Sequence, residues 1–501
     1  MPPQVPDPSS GSLHPELLTR VRSSMKWTAV ASGFGLFVQA VQTIAAARLL
    51  EPFDVGAFTL CTVILLFVEA VADFGLSAYV IHREDLSSLQ LAALQTAHVV
   101  LGWSLGIGVV LVAPLAGRVF GSDLAGRLLA LCAVSYFVNP FGGRVEWLLR
   151  RDLRFNVISR VQVIAGFAGL VVFLVLALAG VGAMSLAAGY LVRACFAAGQ
   201  YAWIGRGCTL FVSPHEFPWR VALSHFGLPQ IGERVMNVLS ERLDQLVIGP
   251  LAGMEALGHY SFARNLLSLP VGRVNSIVTQ VALPMLARIQ GSQAVRATVY
   301  VRLTGALMMI NAPYAVGLAV LASAAVPKIF GAEWLPSVPL VQTLAVLSLC
   351  RAIGNPVGCL LLSVGAARRG FVWNVALLGA STVVIWAGAL FGGVLGVALA
   401  LSFMSVALQP PAYCWLVRPF TGPIAGSYSR AIGMPLVASV LAALFALPLG
   451  WLARPGMAIL VLQITVFVLA YLVALGRLHP GVWKDVAVLV GLRKTAPVAA
   501  G

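Results

Sequence analysis

Apolar runs long enough to cross a bilayer recur from near Trp27 to about residue 475, and this recurrence leaves the chain little choice of fold. A spanning helix needs about 20 apolar residues. Such runs are centred near residues 38, 67, 103, 136, 169, 193, 236, 268, 313, 350, 381, 405, 440 and 466. In hydrocarbon every backbone N–H and C=O must find a partner within the protein, so the runs are predicted to be helices. The expected fold class is an all-α polytopic membrane protein of about fourteen transmembrane helices. Residues are 59% hydrophobic and only 10% charged, which excludes an ordinary soluble domain. A net charge of +15 would suggest nucleic acid in a soluble chain. Here it reads as basic loops held in the cytoplasm, so no nucleic-acid partner is expected.

The distribution of the 33 lysines and arginines sets the predicted orientation. Only Arg48, Arg118, Arg127, Lys328 and Arg454 fall in the odd-to-even turns, which are short. Arg193, Arg234, Arg242, Arg264, Arg273 and Arg351 sit within or at the edges of apolar runs. The remainder fall in the other connections and at the ends, among them Arg20, Arg83, Arg144, Arg150 and Arg369. Both termini are therefore expected inside. The first run follows Arg20, Arg22 and Lys26 and is long enough to span, so it reads as a retained helix rather than a signal peptide.

Charge appears where lipid would not allow it. Glu233, Asn237, Ser240, Glu241 and Asp244 share one face of the helix near residue 236, flanked by Arg234 and Arg242. Ser261, Arg264, Asn265, Ser268, Gly272, Asn275 and Thr279 form a second polar stripe, with Arg273 beside it. An ionised group at bilayer depth costs roughly 2.5–3.5 kcal/mol even on the lenient insertion scale. The two stripes are expected to line a wet cavity inside a bundle; mutual ion pairs that staple helices are the competing reading. Glu69 and Asp73, spaced i, i+4, suggest a proton or cation site, or a helix-end acid bonded to backbone. The helix near residue 38 carries Gln39 and Gln42 but no acid.

The chain also repeats itself. Arg48–Phe58 resembles Ile248–Tyr260, with Gly56 and Gly258 separated by 202 residues. The same offset pairs Gln39 with Glu241, Gln42 with Asp244 and Asp73 with Asn275. Gly180-Val181-Gly182-Ala183 resembles Gly393-Val394-Leu395-Gly396-Val397. Unless this is chance similarity of apolar sequence, it predicts a parallel repeat of two six-helix lobes. The expected organisation is a disordered or amphipathic cytoplasmic N-terminus over 1–24, a first lobe over 25–205 and a cytoplasmic connection over 206–220. A second lobe over 221–418, a helix pair over 419–478 and a cytoplasmic tail over 479–501 follow.

Other features read more blandly. The basic segment Gly143–Asn156 is expected to be a cytoplasmic surface helix touching anionic headgroups, with a direct substrate role as the alternative. The seven cysteines have no metal-ligand spacing and most lie in apolar runs, so buried free thiols are expected. Pro229, Pro270, Pro313 and Pro356 mark kinks or helix boundaries. There is no Walker loop, HExxH or nucleophile motif in a fitting context, so no metal, no cofactor and no covalent chemistry is expected.

The segment Arg150-Arg151-Asp152-Leu153-Arg154-Phe155 resembles the polysaccharide-biosynthesis membrane proteins, the Wzx-type oligosaccharide flippases. Arg242-Leu-Asp244-Gln-Leu-Val-Ile-Gly249 followed by Leu257-Gly258-His-Tyr260-Ser-Phe-Ala263 carries the same resemblance. It covers about residues 20–475 and implies a fold shared with multidrug and toxin extrusion (MATE) transporters and the lipid II flippase. It further implies alternating access that moves a polyprenyl-diphosphate-linked oligosaccharide across the bacterial inner membrane for O-antigen or exopolysaccharide synthesis. By position Arg242, Arg264 and Arg273 are the implied diphosphate contacts, with Arg234 and Arg351 behind them. Asn265, Asn275, Glu241, Asp244, Gln39 and Gln42 complete the expected cavity, and Glu69 and Asp73 the expected ion-coupling pair. Expected partners are the lipid-linked substrate, membrane lipids and a polysaccharide polymerase or export machinery; a monomer is compatible with all of this. A cation-coupled drug antiporter of the same fold would favour an acid on the first helix. A lipid II flippase would share the helix count. A glycosyltransferase or polymerase would want a sizeable outer loop, which the short odd-to-even connections lack.

Overall fold

The computed structural model describes residues 33–83, 85–206, 228–269, 286, 292–450 and 456–478. Helix occupies every predicted centre, and no strand occurs among the described residues. Among the described residues, eight stretches are long and apolar enough to cross a membrane. The chain is an all-α, multi-pass membrane protein. Large apolar side chains stand on its outer surface, with Phe391 92% and Phe403 77% exposed. Hydrocarbon is the solvent that accepts such a surface.

The helices are α1 (33–49), α2 (Pro52–Ala72), α3 (Leu76–His82), α4 (Ser88–Val119), α5 (Asp123–Ala133), α6 (Ser135–Val138), α7 (Pro140–Arg151), α8 (Phe155–Leu178) and α9 (Met184–Ile204). They continue with α10 (Leu228–Ala252), α11 (254–269), α12 (Gln293–Ile329), α13 (Val338–Ser363), α14 (Ala367–Ala407), α15 (Gln409–Ala412), α16 (Arg418–Thr421), α17 (Ala425–Ala446) and α18 (Met457–Leu478). Pro313 and Pro356 sit inside the unbroken α12 and α13. Two compact units result. One holds the chain up to Gln42 and from Cys61 to Val238; the other holds Thr43–Leu60 and everything from Leu239 onward.

In the first unit, Ser87 and Gln90 form a capping box that starts α4. The run centred near residue 136 is bent: α5 and α6 meet α7 at an angle of 58°. Gln95 braces the first turn of α7, just after the bend. Its side-chain amide donates to the Pro140 carbonyl and accepts from the Arg144 N–H. These are the two groups that would bond each other in a regular helix, so the amide replaces one turn's hydrogen bond. This corrects the reading of Gly143–Asn156 as a surface helix. Gly143, Arg144, Trp147 and Leu149 are buried, and Trp147 packs with Leu76, Tyr79, Val80, Leu91 and Leu94. Arg144, expected in a cytoplasmic connection, is buried at 7% exposure. The segment's periodicity was amphipathic because one face meets protein. Only its end carries surface charge, with Glu146 and Arg150 paired at 2.6 Å.

The second unit centres on α12, which packs against α13, α17 and α18. Tyr314 Oη donates to the Leu266 carbonyl at 2.6 Å, and Tyr471 Oη to the Met309 carbonyl at 2.7 Å. Alanines 438, 442, 443 and 446 let α17 approach Phe467 and Tyr471 of α18 closely. The 43–60 segment belongs to this unit. Arg48 donates to the carbonyls of Lys328 and Ile329, and buried Trp334 donates to the Ala47 carbonyl at 2.8 Å. Gly56 and Gly258, matched in the sequence repeat, lie against each other. A methyl group on Gly56 would run into the Met254 carbonyl, and one on Gly258 into the Pro52 carbonyl. Each glycine meets the residue four before its counterpart, so the contact is reciprocal.

The second repeated motif is also structural. In the first unit the Gly180–Gly182 turn joins α8 to α9, and Gly169 and Gly189 face each other closely enough to exclude a Cβ. In the second unit α14 breaks at Gly392 and Gly393, the latter at φ +56, and Gly388 faces Gly396 in the same way. Of the described cysteines, Cys61, Cys132, Cys350 and Cys359 are buried. Cys195 and Cys414 are exposed, so the expected burial holds for four of the six described thiols.

Candidate functional site

The predicted polar faces of α10 and α11 meet in the second unit. Arg264 donates to Asp244 Oδ2 and to the Glu241 carbonyl. Tyr260 Oη also donates to Asp244 Oδ2, at 2.6 Å, and the Gln245 N–H donates to Oδ1 at 2.9 Å. Gln245 continues the network: its side chain accepts from Arg242 at 3.1 Å and donates to Ser261 Oγ at 3.3 Å. The Arg264 and Asp244 side chains are 11% and 3% exposed. Burying two such charges is tolerable because they neutralise each other and nearly every lone pair of the carboxylate is used. The sequence alternatives of mutual ion pair and cavity lining coexist at Asp244: it holds Arg264 and also lines a cavity of about 440 Å³.

That cavity lies within the second unit. Its polar lining comes from Ser240, Asp244, Arg351, Asn355, Asn374 and Gln409. Arg351 therefore enters the wall, whereas Arg242 and Arg264 stand beside it. Glu241 is exposed and Asn265 half-buried. Arg273 and Asn275 lie outside the described residues. Asn355, Asn374 and Gln409 were missed by sequence reasoning. A signal existed, because Arg351 and Asn355, like Gln409 and Tyr413, are spaced i, i+4 on apolar helices.

The acidic pair belongs to the first unit. Asp73 follows the last residue of α2, where the chain turns through Phe74 at φ 45 and Gly75 at φ 73. It pairs with Arg234 at 2.9 Å and accepts from Ser77 Oγ at 2.7 Å. Glu69 is exposed on the helix itself. The helix-end reading thus describes Asp73, except that its partners are side chains and not backbone. Gln39 and Gln42 are half-buried on α1.

The described helices form a membrane bundle that holds a buried ion pair and a polar cavity. The chain belongs to the family described as polysaccharide biosynthesis protein, whose family model matches residues 45–339. It is 27% identical over 420 residues to the lipopolysaccharide biosynthesis protein WzxC of Escherichia coli (strain K12), covering 83% of this chain and 85% of that protein. The teichuronic acid biosynthesis protein TuaB of Bacillus subtilis (strain 168) is 25% identical over 402 residues, covering 78% of this chain and 81% of its own length. The succinoglycan biosynthesis transport protein ExoT of Rhizobium meliloti (strain 1021) is 25% identical, covering 79% of this chain and 80% of itself. In fold the chain matches the lipid II flippase MurJ in an inward closed conformation at a TM-score of 0.74 and 14% identity, over 91% of this chain and 99% of that one. An inward-facing MATE family transporter matches at 0.61 and 14% identity, over 78% and 94%. The fold is MATE-like.

Proposed function

We propose that this protein is a flippase that carries a polyprenyl-diphosphate-linked oligosaccharide across the bacterial inner membrane by alternating access, without covalent chemistry. The observation that carries this reading is the buried Arg264–Asp244 pair, with Arg242 hydrogen-bonded to the same network. A guanidinium binds phosphate in the same forked geometry as carboxylate. The diphosphate can therefore replace Asp244 on Arg264, and binding is coupled to rearrangement of α10 against α11. Asp244 neutralises Arg264 until substrate arrives, which lowers the cost of holding that cation in an apolar bundle. Family membership and the polysaccharide relatives support the substrate class. The test is surface polysaccharide in a strain lacking the native gene, with the Arg264 variants considered below.

The reading includes fourteen spans with both termini cytoplasmic, lobes over 25–205 and 221–418, and a helix pair over 419–478. Arg273, Asn275, Gln39 and Gln42 are assigned to the proposed substrate path by sequence position alone. Reporter fusions at Gly121 and Ser213 should give opposite signals, with Gly121 outside; equal signals would break the helix parity on which the lobes rest. Asp73, with Glu69 beside it, is the proposed coupling site. Flipping should fall when the ion gradient is collapsed, and Asp73→Asn should flip at a rate that no longer responds. Continued gradient dependence in Asp73→Asn would remove that residue from the coupling role.

A further inference from the structure

The cavity in the second unit has a wall that phosphate binding does not explain. Besides Asp244 and Arg351, its lining includes Trp373, Tyr413 and Tyr428 with the amides of Asn355, Asn374 and Gln409. Tyr413 stacks on Tyr428 with centroids 5.4 Å apart, Tyr428 stacks on Tyr300 at 5.9 Å, and Trp373 lies 5.9 Å from Trp415. The Tyr413 hydroxyl is buried and has no hydrogen-bond partner among the described residues. Buried hydroxyls are rarely left so. The backbone there is unusual as well: Tyr413–Val417 is π-helical, directly after Pro410 and Pro411. A π-turn rotates the side chains that follow it off the regular helical register, and such turns are frequent at functional sites.

Three ligand chemistries can be compared with this wall. A polyprenyl tail would bury the amides and the Tyr413 hydroxyl without partners, which is costly. A bare diphosphate would use Arg351 and leave the stacked rings idle. A sugar ring uses all of it: its C–H face lies on an aromatic ring, and its hydroxyls both donate and accept, as do the side-chain amides. The volume, about 440 Å³, lies within the roughly 300–1,000 Å³ typical of small-molecule pockets. We infer that the cavity walled by Trp373, Tyr413, Tyr428, Asn355, Asn374 and Gln409 is a saccharide subsite, separate from the arginine that holds the diphosphate. The inference rests on the flippase reading above. Asp244 joins the two sites, since it lines the cavity and holds Arg264. Sugar and diphosphate then occupy adjoining places on the two sides of one carboxylate.

The test uses the purified full-length protein in nanodiscs and two probes. One is undecaprenyl diphosphate; the other is the lipid-linked repeat unit extracted from the expressing strain. Wild type should bind the glycosylated lipid more tightly than the bare one. Trp373→Ala should lose about tenfold of its affinity for the glycosylated lipid, the scale of one ring contact together with a hydrogen bond. Tyr413→Phe, which removes one oxygen and keeps the ring, should lose several-fold. Neither should shift binding of the bare lipid by more than about twofold, within the spread of an indirect effect. Arg264→Ala should weaken both lipids alike. Equal binding of the two lipids by wild type would overturn the subsite and leave the flippase reading standing. So would Tyr413→Phe and Trp373→Ala variants that keep full preference for the glycosylated lipid, or that lose both lipids in parallel. Wild type that binds neither lipid would overturn the flippase reading and the subsite together.

Discussion

Arg264→Ala should reduce surface polysaccharide to below about a tenth of wild type at equal membrane level, the scale expected when the one cation of a buried pair is lost. The substitution has two consequences, and they must be separated. It removes the proposed phosphate contact, and it strands Asp244, which is 3% exposed. Breaking one side of a buried pair costs roughly 3–5 kcal/mol because the survivor is uncompensated. Here the loss is softened, since Tyr260 and the Gln245 N–H still donate to that carboxylate. Arg264→Ala combined with Asp244→Asn removes the stranded charge. If the single variant fails only through instability, the double variant should recover both membrane level and export. If Arg264 holds the diphosphate, the double variant recovers membrane level alone. Arg264→Lys should retain part of the export, because charge remains while the planar fork is lost. Arg151, on the exposed end of α7, provides a control whose replacement by alanine should be mild. Full export by Arg264→Ala would move the site, with Arg242 next in line.

The second large effect is expected at the glycine crossing. Gly258→Ala should cut the membrane level several-fold and export with it. The added methyl would overlap the Pro52 carbonyl, and a backbone atom cannot rotate away as a side-chain tip can. Overpacking of this kind costs about 1–3 kcal/mol and sometimes more, and a loss of that size changes abundance several-fold in cells. Gly56→Ala should behave likewise against the Met254 carbonyl. Because both changes open the same crossing, the double variant should cost less than the sum of the two singles. Gly108 on α4 has open space around its Cα, so Gly108→Ala should be neutral or slightly stabilising through helix propensity. Membrane level and thermal aggregation temperature of the purified protein measure all four variants. Wild-type behaviour of Gly258→Ala would mean that the crossing is not tightly packed in the membrane.

Much of this protein could be read from one dimension. Length and apolarity placed a helix at each centre, because hydrocarbon permits little else. The repeat was legible in Gly56 and Gly258, since a close backbone crossing admits only glycine and marks both partners alike. The i, i+4 spacing of polar residues on α10 and α11 placed Asp244 and Arg264 on polar faces, for the same reason that any helical period is visible in sequence.

Which faces meet was decided by tertiary structure. The periodicity of α7 is the same whether its second face meets headgroups or protein, so the burial of Arg144 and Trp147 could not be read from it. The Gln95 bridge to the first turn of α7 joins residues far apart in sequence, and no local rule announces it. Asp73 looked like a helical partner of Glu69, but the left-handed turn at Phe74 and Gly75 ends α2 and gives Asp73 to Arg234. The cavity wall is the clearest case. Arg351 lies on α13, Trp373 and Asn374 on α14, and Gln409 and Tyr413 beyond its end, and only packing brings them to one space. Sequence by itself determined the solvent, the helices and the close glycine crossing, because each follows from local chemistry. The pairing of charges and the assembly of the cavity required the third dimension, because both depend on which helical faces are neighbours.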